Sequence, residues 1–379
     1  MEKRKYRGTG PEISLLGFGC MRFPKVDPEK PDIDEARAQE MIDYAYAHGI
    51  NYYDTAWPYH QGLSETFIGK ALKKYPRDSF YLVSKMPGWE TKCPEDADRI
   101  FEEQLKKCQV EYFDFYLSHA MNAERLESYG KAGVYDVLQK KKAEGKIRRL
   151  GFSFHDTPEV LRNIAALPFW DFAQIQLNYL DWTMQRAKEQ YDILTERGLP
   201  VVVMEPVRGG ALHTLCPDGI RLLKEADASL SPASWAIRFA ASLPNVMTVL
   251  SGMSTLEQVK DNVKTMESFR PLTEEERGVL FRAAEIYRQS KTVPCTGCRY
   301  CMDCPSGVDI PLLFSLYNQY MLTEDKAAFV KGYTEAGDSK QAQHCIACRA
   351  CMHHCPQGID IPEKIAGVKA LAARLMPQE

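Results

Sequence analysis

Eight of the twelve cysteines lie in two clusters in the last quarter of the chain. Each cluster has three cysteines separated by two residues and ends in a Cys-Pro pair: Cys295, Cys298, Cys301 and Cys304, then Cys345, Cys348, Cys351 and Cys355. Thiolates at this spacing ligate 4Fe–4S clusters, and the cysteine before the proline then ligates the other cluster of a two-cluster unit. The spacing therefore predicts two 4Fe–4S clusters that exchange their fourth ligands.

The exchange defines two ligand sets: Cys295, Cys298, Cys301 and Cys355 for one cluster, and Cys345, Cys348, Cys351 and Cys304 for the other. Zinc sites and disulfides are the alternatives. Zinc is bound by paired cysteines, which leaves the third cysteine and the Cys-Pro ending unexplained. The first motif departs from the bacterial pattern, since two residues rather than three precede its Cys-Pro pair.

The length and charge of the chain limit its function class. A chain of 379 residues exceeds the usual size of a single core, so two domains are expected. Its 48 basic and 51 acidic residues give a net charge of -3, which argues against a nucleic-acid or acidic-membrane partner. No apolar run is long enough to span a membrane. The four remaining cysteines are scattered along the chain, which favours buried free thiols over disulfides. Free thiols are typical of a reducing compartment, so we expect a cytoplasmic protein.

The first 290 residues alternate short apolar runs with longer amphipathic segments. Eight apolar runs are candidate strands: 13–20, 52–55, 81–85, 113–119, 147–153, 172–177, 200–204 and 247–251. Glycine follows three of the helical segments, as a left-handed helix cap requires, at Gly49, Gly145 and Gly198. This alternation predicts a (β/α)8 TIM barrel over residues 1–290, with a hairpin at 4–12 closing its floor. The missing G-x-G-x-x-G motif argues against a Rossmann site.

Four polar side chains lie at the carboxyl ends of neighbouring candidate strands: Asp54, Tyr59, Lys85 and His119. TIM-barrel active sites lie at that end, so we expect the four to converge. A tyrosine, with an ordinary pKa of about 10, needs a lower pKa to donate a proton to a carbonyl at neutral pH. We therefore expect Lys85 to lower the pKa of Tyr59, Asp54 to hold the lysine, and His119 to orient the carbonyl oxygen. Each residue alone has an ordinary structural explanation, but the four together predict an oxidoreductase site.

These residues resemble the aldo/keto reductase family over roughly residues 1–290. The stretch at 49–59, Gly-Ile-Asn-Tyr-Tyr-Asp-Thr-Ala-Trp-Pro-Tyr, is similar to the family signature, and Ser84-Lys85 and Leu117-Ser118-His119 match its other two catalytic positions. With its cysteine-rich tail, the chain resembles the aldo/keto reductases of anaerobes that carry a C-terminal ferredoxin-type dicluster domain. The resemblance implies a small-molecule carbonyl or alcohol substrate.

The resemblance also implies a nicotinamide dinucleotide, NAD(H) or NADP(H), across the barrel mouth. The positions that would hold its carboxamide are Ser153 and Gln174, and those beside its diphosphate are Val207 and Gly209. The adenosine end would lie at Gly252, Met253, Ser254, Gln258 and Asn262. Ser254 and Glu257 have the spacing of a capping box, which predicts a helix N-terminus there.

Four positions depart from the family pattern. Phe154 replaces an asparagine, Met204 replaces an aromatic residue that stacks on the nicotinamide ring, Gln258 replaces an arginine and Gly252 replaces a lysine. Losing both cations removes the charge-assisted contacts to a 2′-phosphate. NADH is therefore expected to bind at least as well as NADPH. Arg208, expected to be a solvated loop residue, would compensate if it turned toward the adenosine end. A bound flavin is the alternative cofactor.

Residues 291–379 are expected to form a small, mainly helical ferredoxin-like dicluster domain. Helical periodicity runs through 310–332, between the two cysteine motifs. An internal repeat follows the fourth cysteine of each motif: Pro-Ser-Gly-Val-Asp-Ile-Pro, then Pro-Gln-Gly-Ile-Asp-Ile-Pro. The repeat predicts one helix–cluster unit that has been duplicated.

The leading hypothesis is a cytoplasmic oxidoreductase that acts on a carbonyl or alcohol group through Tyr59. Iron–sulfur clusters transfer single electrons, whereas nicotinamide accepts a hydride, which carries two electrons. Clusters that supply or drain electrons for the reaction would therefore need a converter such as a flavin. A ferredoxin or other redox partner would exchange the electrons with the clusters. One alternative is an ordinary NAD(P)H-dependent reductase with structural clusters. Another is an electron carrier or redox sensor on an inactive barrel. Phe23, Trp57 and Trp89 would line an aromatic substrate pocket or simply pack the barrel.

Overall fold

The computed structural model describes residues 1–27 and 30–376, in two compact units. The first unit is Met1–Pro206 with Ala233–Thr273, and the second is Val207–Pro232 with the described residues from Glu274 onward. The domain boundary expected at 290 stays a prediction. Every helix in the described residues is too short or too polar to cross a lipid bilayer.

The first unit is built on a closed barrel of eight parallel strands. A hairpin of Lys3–Lys5 (β1) and Glu12–Ser14 (β2) comes first. Around the barrel the strands then follow chain order: Leu16–Gly19 (β3), Tyr52–Asp54 (β4), Tyr81–Met86 (β5), Phe113–Met121 (β6), Ile147–Phe154 (β7), Phe172–Gln176 (β8), Val201–Met204 (β9) and Val246–Gly252 (β10). β10 pairs with β3 and closes the ring. The predicted (β/α)8 fold is confirmed, because each candidate run overlaps one barrel strand.

Helices connect the strands and continue through the second unit. In chain order they are Glu35–Ala47 (α1), Leu63–Leu72 (α2), Pro94–Cys108 (α3), Ala123–Lys131 (α4), Val134–Ala143 (α5), Pro158–Ala165 (α6), Asp181–Met184 (α7), Ala187–Glu196 (α8), Ala211–Thr214 (α9), Pro217–Ala226 (α10), Pro232–Ala241 (α11), Leu256–Glu267 (α12), Glu274–Gln289 (α13), Ile310–Thr323 (α14), Lys326–Glu335 (α15), Ala350–His353 (α16) and Ile361–Leu375 (α17). The predicted glycine caps are confirmed, since Gly49, Gly145 and Gly198 have φ of 86°, 78° and 65°.

The predicted run 13–20 is divided between two structures. Its first residues belong to β2 and its later ones to β3, and the chain turns between them. Ser14 fixes this turn, because its N–H donates to Asn51 Oδ1 at 2.8 Å and its hydroxyl donates to the Leu16 carbonyl at 2.7 Å. A run of apolar residues does not reveal such a turn, since both of its parts are buried.

The hairpin of β1 and β2 closes the amino-terminal end of the barrel, as predicted. The Arg4 guanidinium donates to the Leu243 carbonyl at 2.9 Å and also to the Val246 carbonyl, where β10 begins. The Tyr6 hydroxyl donates to the Asp171 carbonyl at 2.8 Å, directly before β8. The open end of the barrel is therefore the carboxyl end of its strands.

The second unit has its own apolar core, in which α14 packs with α15 and α17. The internal repeat builds the same helix start twice. The Asp309 carboxylate accepts from the Leu312 N–H at 3.2 Å, and the Asp360 carboxylate accepts from the Glu363 N–H at 3.2 Å. Each aspartate is the N-cap of a long helix, α14 or α17. The predicted mainly helical second domain is thus confirmed.

Close packing of α2 on α3 gives a stability test. A Cβ at Gly69 in α2 would lie 2.5 Å from the carbonyl carbon and oxygen of Cys108 in α3, so Gly69→Ala should force the helices apart. We expect it to lower the free energy of unfolding by about 1–3 kcal/mol. Gly367→Ala in α17 is the matched control, because among the described residues no atom outside its own stretch of helix lies within 4 Å of its Cβ position, and alanine favours a helix by up to about 1 kcal/mol. Thermal unfolding followed by circular dichroism compares them, and an unchanged melting temperature for Gly69→Ala would contradict the packing.

Candidate active site and cluster cavities

Lys85 and Asp54 form a buried ion pair at the carboxyl ends of β5 and β4. The Lys85 ammonium donates to Asp54 Oδ1 at 2.6 Å and to the Thr55 carbonyl at 2.7 Å. The two side chains are only 1% and 4% exposed. Burial raises the pKa of the Asp54 carboxyl, and the charge of Lys85 opposes this rise. Side chains alternate along β5, so Lys85 points into the barrel while Ser84 points toward the helices.

Tyr59 and His119 complete the group. The Lys85 ammonium lies 4.9 Å from the centroid of the Tyr59 ring. The Tyr59 and His119 rings meet edge to face, with centroids 6.1 Å apart. Tyr59 lies in the 3-10 turn Tyr59–Gly62 between β4 and α2, and His119 lies near the end of β6. The structure therefore brings the four predicted side chains together.

The expected lowering of the Tyr59 pKa is wrong for this structure. Burial raises the pKa of the Tyr59 hydroxyl well above its ordinary value, the Asp54 carboxylate adds to the rise, and Arg22 opposes it. The reason is that removing a phenolate from water, beside the Asp54 carboxylate, outweighs the opposing charge of Arg22. Tyr59 is a neutral phenol at neutral pH, as an unperturbed tyrosine also is, and its raised pKa makes it a weaker acid than expected.

His119 is a neutral imidazole. Burial lowers its pKa well below the ordinary value, and the charges of Lys85 and Arg125 lower it further. Its Nδ1 is buried and has no hydrogen-bond partner among the described residues. The Tyr129 hydroxyl donates to the His119 carbonyl at 3.0 Å and so holds the end of β6. A neutral imidazole keeps one N–H donor, which is what a substrate carbonyl oxygen needs.

The three predicted pocket aromatics have different surroundings. Trp89 is 42% exposed, and its ring centroid lies 5.1 Å from that of His119. Trp57 is partly exposed. Phe23 is 3% exposed and packs edge-on against Phe67, with centroids 4.9 Å apart. Trp89 is thus placed to contact a ligand at the four side chains, while Phe23 belongs to the core.

Three predicted nucleotide contacts are buried polar side chains of the first unit: Ser153, Gln174 and Asn262. Ser153 Oγ accepts from the Ala120 N–H at 2.7 Å, and the Asn262 amide donates to Ser251 Oγ at 2.9 Å. Gln174 Oε1 is buried and has no hydrogen-bond partner among the described residues. Buried acceptors are normally satisfied, so this amide oxygen is a position that a bound donor group would complete.

At the predicted adenosine end, α12 is capped one residue later than expected. The Thr255 hydroxyl accepts from the Gln258 N–H at 3.3 Å, and the Gln258 side chain accepts from the Ser254 N–H at 2.8 Å. The predicted capping box of Ser254 and Glu257 is therefore wrong. Ser254 Oγ donates instead to the Arg22 carbonyl at 2.8 Å, which fixes Ser254 outside the helix.

The aliphatic stem of Arg22 lies beside Gly252, a contact that the sequence did not reveal. A Cβ there would lie 3.3 Å from Arg22 Cδ, so the stem of Arg22 runs over this glycine. The Arg22 guanidinium lies 3.9 Å from Glu205 Oε1. Next to Gly252, Met253 is 1% exposed. The pairing of β10 with β3 brings the Arg22 stem here from a distant part of the sequence, and the expected preference for NADH stays a prediction.

Val207 and Gly209, predicted to lie beside the diphosphate, belong to the second unit. Gly209 has φ of 63°, and a Cβ there would lie 2.0 Å from the Thr296 carbonyl oxygen. The segment therefore packs against the first cysteine motif. Arg208 is 1% exposed, so the expectation of a solvated loop residue is wrong.

Four cysteines line each of two cavities in the second unit. The first cavity, of about 320 Å³ including space open to solvent, is lined by Cys295, Cys298, Cys301 and Cys355. The second, of about 310 Å³, is lined by Cys304, Cys345, Cys348 and Cys351. Each motif thus supplies three thiols to one cavity and one thiol to the other, which is the arrangement the predicted exchange requires.

The donor set of each cavity suits a metal–sulfur cluster. Burial raises the pKa of Cys351 to about 11, and the pKa of Cys301 rises for the same reason; in both cases the nearby cysteines of the same cavity add to the rise. Four thiolates therefore become favourable together only when a cationic centre lies among them.

The barrel with its buried polar group, and the separate unit with two cysteine-lined cavities, define an oxidoreductase with an iron–sulfur domain. Comparison with known families agrees. Residues 15–280 match the aldo/keto reductase family, and residues 294–359 match the 4Fe-4S dicluster domain. The chain therefore belongs to the aldo/keto reductase family, and the predicted combination of domains is confirmed.

Several known proteins are similar to part of the chain. A probable aldo-keto reductase 1 from Glycine max is 30% identical over 53% of this chain, which spans only 58% of that protein. The NADH-specific methylglyoxal reductase of Escherichia coli (strain K12) is 25% identical over 70% of this chain and 94% of its own. The solved structure of an aldo-keto reductase from Bacillus halodurans, in its holo form, is 28% identical with a TM-score of 0.63, covering 75% of this chain and 96% of that one.

The buried state of His119 predicts a pH dependence of stability. Unfolded His119 takes up a proton at about pH 6.5, whereas the folded residue has a lower pKa, so it contributes a loss of stability as the pH falls below about 6.5. His119→Asn should remove this loss, which is about 1 kcal/mol at pH 5.5. Urea unfolding at pH 7.5 and 5.5, followed by tryptophan fluorescence, measures it, since the five tryptophans all lie in the first unit. An identical decrease in both proteins would contradict a neutral buried imidazole.

Proposed function

We propose that the protein reduces the carbonyl group of a small molecule at Tyr59, or oxidises the alcohol in reverse, in the cytoplasm. The observation that carries the proposal is the convergence of Asp54, Tyr59, Lys85 and His119 at the open end of the barrel. Residues 1–290 are the proposed reductase part and residues 291–379 the proposed electron-transfer part.

The proton of the proposed reaction comes from Tyr59. A carbonyl that receives a hydride at carbon gains negative charge at oxygen, and this oxygen takes the hydroxyl proton. Burial keeps Tyr59 protonated until then. The phenolate that remains lies beside the Lys85 ammonium, which Asp54 holds in place, and the neutral His119 orients the substrate oxygen through an N–H donor.

A nicotinamide nucleotide, when bound, supplies the hydride. The unsatisfied Gln174 Oε1 fits the amide N–H of a carboxamide, which supports the assignment of Gln174 and its neighbour in the barrel, Ser153. Gly252, Met253, Ser254, Gln258 and Asn262 would hold the adenosine end. The Arg22 stem lies beside Gly252 while its guanidinium faces Glu205, so NADH is proposed to bind at least as well as NADPH. The name of the Escherichia coli relative makes NADH and methylglyoxal the first pair to assay.

Two 4Fe–4S clusters would occupy the two cavities and exchange single electrons with a ferredoxin or other redox partner. Cys348 is the exposed cysteine of the second cavity, which favours that cavity as the point of exchange. Coupling to a hydride then requires a converter such as a bound flavin. A purely structural role is the second candidate, favoured by the packing of Cys301 in the apolar core of its unit.

Tyr59→Phe should lower kcat for carbonyl reduction by about a hundred- to ten-thousand-fold, since it removes the proton donor. The affinity for NADH and NADPH, titrated by fluorescence quenching, should stay nearly unchanged. Tyr52→Phe is the matched control, because Tyr52 is likewise a buried tyrosine of the barrel and its hydroxyl has no partner among the described residues. Full turnover by Tyr59→Phe would refute the proposed reaction.

Anaerobically purified protein should contain close to eight irons per chain, because each 4Fe–4S cluster needs four thiolate ligands. Cys355→Ser should damage the cluster of Cys295, Cys298 and Cys301, because these four cysteines line one cavity. Cys304→Ser should damage the other cluster, because Cys304 lines the other cavity. Iron analysis with electron paramagnetic resonance of the reduced protein distinguishes the two signals. If both variants lost the same signal, the exchange of fourth ligands would be wrong.

A further inference from the structure

A buried carboxylate lies on the outer side of the barrel, directly behind Lys85. Glu65 in α2 is fully buried, and its Oε1 accepts from Ser84 Oγ at 2.6 Å and from Gln104 Nε2 at 2.6 Å. Ser84 precedes Lys85 on β5 and points to the opposite face. Burial raises the pKa of Glu65, and the hydrogen bonds from Ser84 and Gln104 oppose the rise.

Gln104 extends this network to the backbone of the lysine. Its amide Nε2 donates to the Lys85 carbonyl at 3.0 Å as well as to Ser84 Oγ at 2.9 Å. Its Oε1 accepts from the hydroxyl of Tyr116, which lies on β6, the strand that also carries His119. One side chain in α3 therefore joins the two strands that bear Lys85 and His119.

The residue before Glu65 holds the neighbouring strand end. Ser64 Oγ lies 2.8 Å from Thr55 Oγ1, and the Thr55 carbonyl is the second acceptor of the Lys85 ammonium. The turn Tyr59–Gly62 leads directly into α2, so this helix start is also joined to Tyr59. Ser64 and Glu65 thus contact both strand ends that carry the buried ion pair.

A carboxylate is an expensive group to bury, and apolar packing would fill the space between helix and strand without that cost. A carboxylate, unlike an apolar side chain, accepts two hydrogen bonds at one oxygen. The two donors here are the Ser84 hydroxyl, directly before Lys85, and the Gln104 amide, which also binds the Lys85 carbonyl. Glu65 therefore fixes both groups. The arrangement constrains the backbone from which the lysine projects.

We propose that Glu65 is a positioning residue for the reaction proposed above: through Ser84 and Gln104 it fixes β5 so that the Lys85 ammonium lies between Asp54 and Tyr59. Glu65 does not touch the reacting groups. Its second oxygen, Oε2, has no hydrogen-bond partner among the described residues, although the Lys107 ammonium lies 4.0 Å away. The hydrogen-bond geometry at Oε1, rather than the negative charge, is therefore the property that positions the lysine.

The test compares Glu65→Gln and Glu65→Ala in the full-length protein with its clusters. Glutamine keeps an acceptor oxygen for Ser84 and Gln104, so Glu65→Gln should retain kcat within about threefold. Glu65→Ala should lower kcat at least tenfold with little change in KM, because the substrate still binds beside a displaced proton donor. The assay uses methylglyoxal with NADH or NADPH.

Asp114→Ala is the matched control for a purely structural role. Asp114 is another buried carboxylate that joins β5 and β6, since it accepts from the Leu82 N–H at 3.0 Å, but it lies where β6 begins. It should lower the melting temperature without changing kcat. A folded Glu65→Ala protein with unchanged kcat would overturn the proposal, as would equal losses of kcat in Glu65→Ala and Asp114→Ala.

A crystal structure of Glu65→Ala separates this inference from the proposed function. The positioning role requires the Lys85 to Asp54 Oδ1 distance to lengthen beyond its present 2.6 Å. An unchanged distance overturns the inference even when wild type reduces methylglyoxal and Tyr59→Phe does not. Conversely, a displaced lysine supports the inference about geometry when Tyr59→Phe retains turnover and the proposed reaction fails.

Discussion

The buried ion pair of Lys85 and Asp54 is the constraint on which the barrel site depends. Two charges removed from water are stable only with close mutual contact and further hydrogen bonds, and here the Thr55 carbonyl supplies one. Because the pair has little freedom, it also sets the environment of Tyr59, whose ring lies against the lysine. The site therefore needs a rigid barrel end, which eight hydrogen-bonded strands provide.

That rigidity is supplied from outside the barrel as much as from within. The hydrogen bonds of Glu65 and Gln104 hold the strand of the lysine from the helix side, while the Tyr129 hydroxyl holds the carbonyl of His119. Helices α2 and α3 approach closely enough at Gly69 for these polar side chains to reach the strands. The polar side chains on the helix side of the strands thus support the polar side chains on the inner side of the barrel.

The second unit also brings groups together whose charged forms are unfavourable without a partner, and here these groups are cysteine thiols. Its two cavities collect thiols whose charged forms repel one another, so their protonation is tied to what binds among them. Each cavity takes its fourth cysteine from the other motif, so each cavity needs both motifs for its complete set of thiols. The Asp309 and Asp360 caps place a helix beside each motif and give the unit its repeated form.

The sequence by itself determined the barrel, its strand runs, the glycine caps, the two cysteine motifs and the four polar residues at the strand ends, because these depend on local periodicity, spacing and backbone preference. The tertiary structure alone decided three other features. The raised pKa of Tyr59 follows from burial, which outweighs the opposing charge of Arg22. Thr255 caps α12 because the Ser254 hydroxyl donates its hydrogen bond to the Arg22 carbonyl instead. The Arg22 side chain reaches Gly252 because β3 pairs with β10. Burial and pairing between distant segments are properties of the closed ring, and no stretch of sequence contains them.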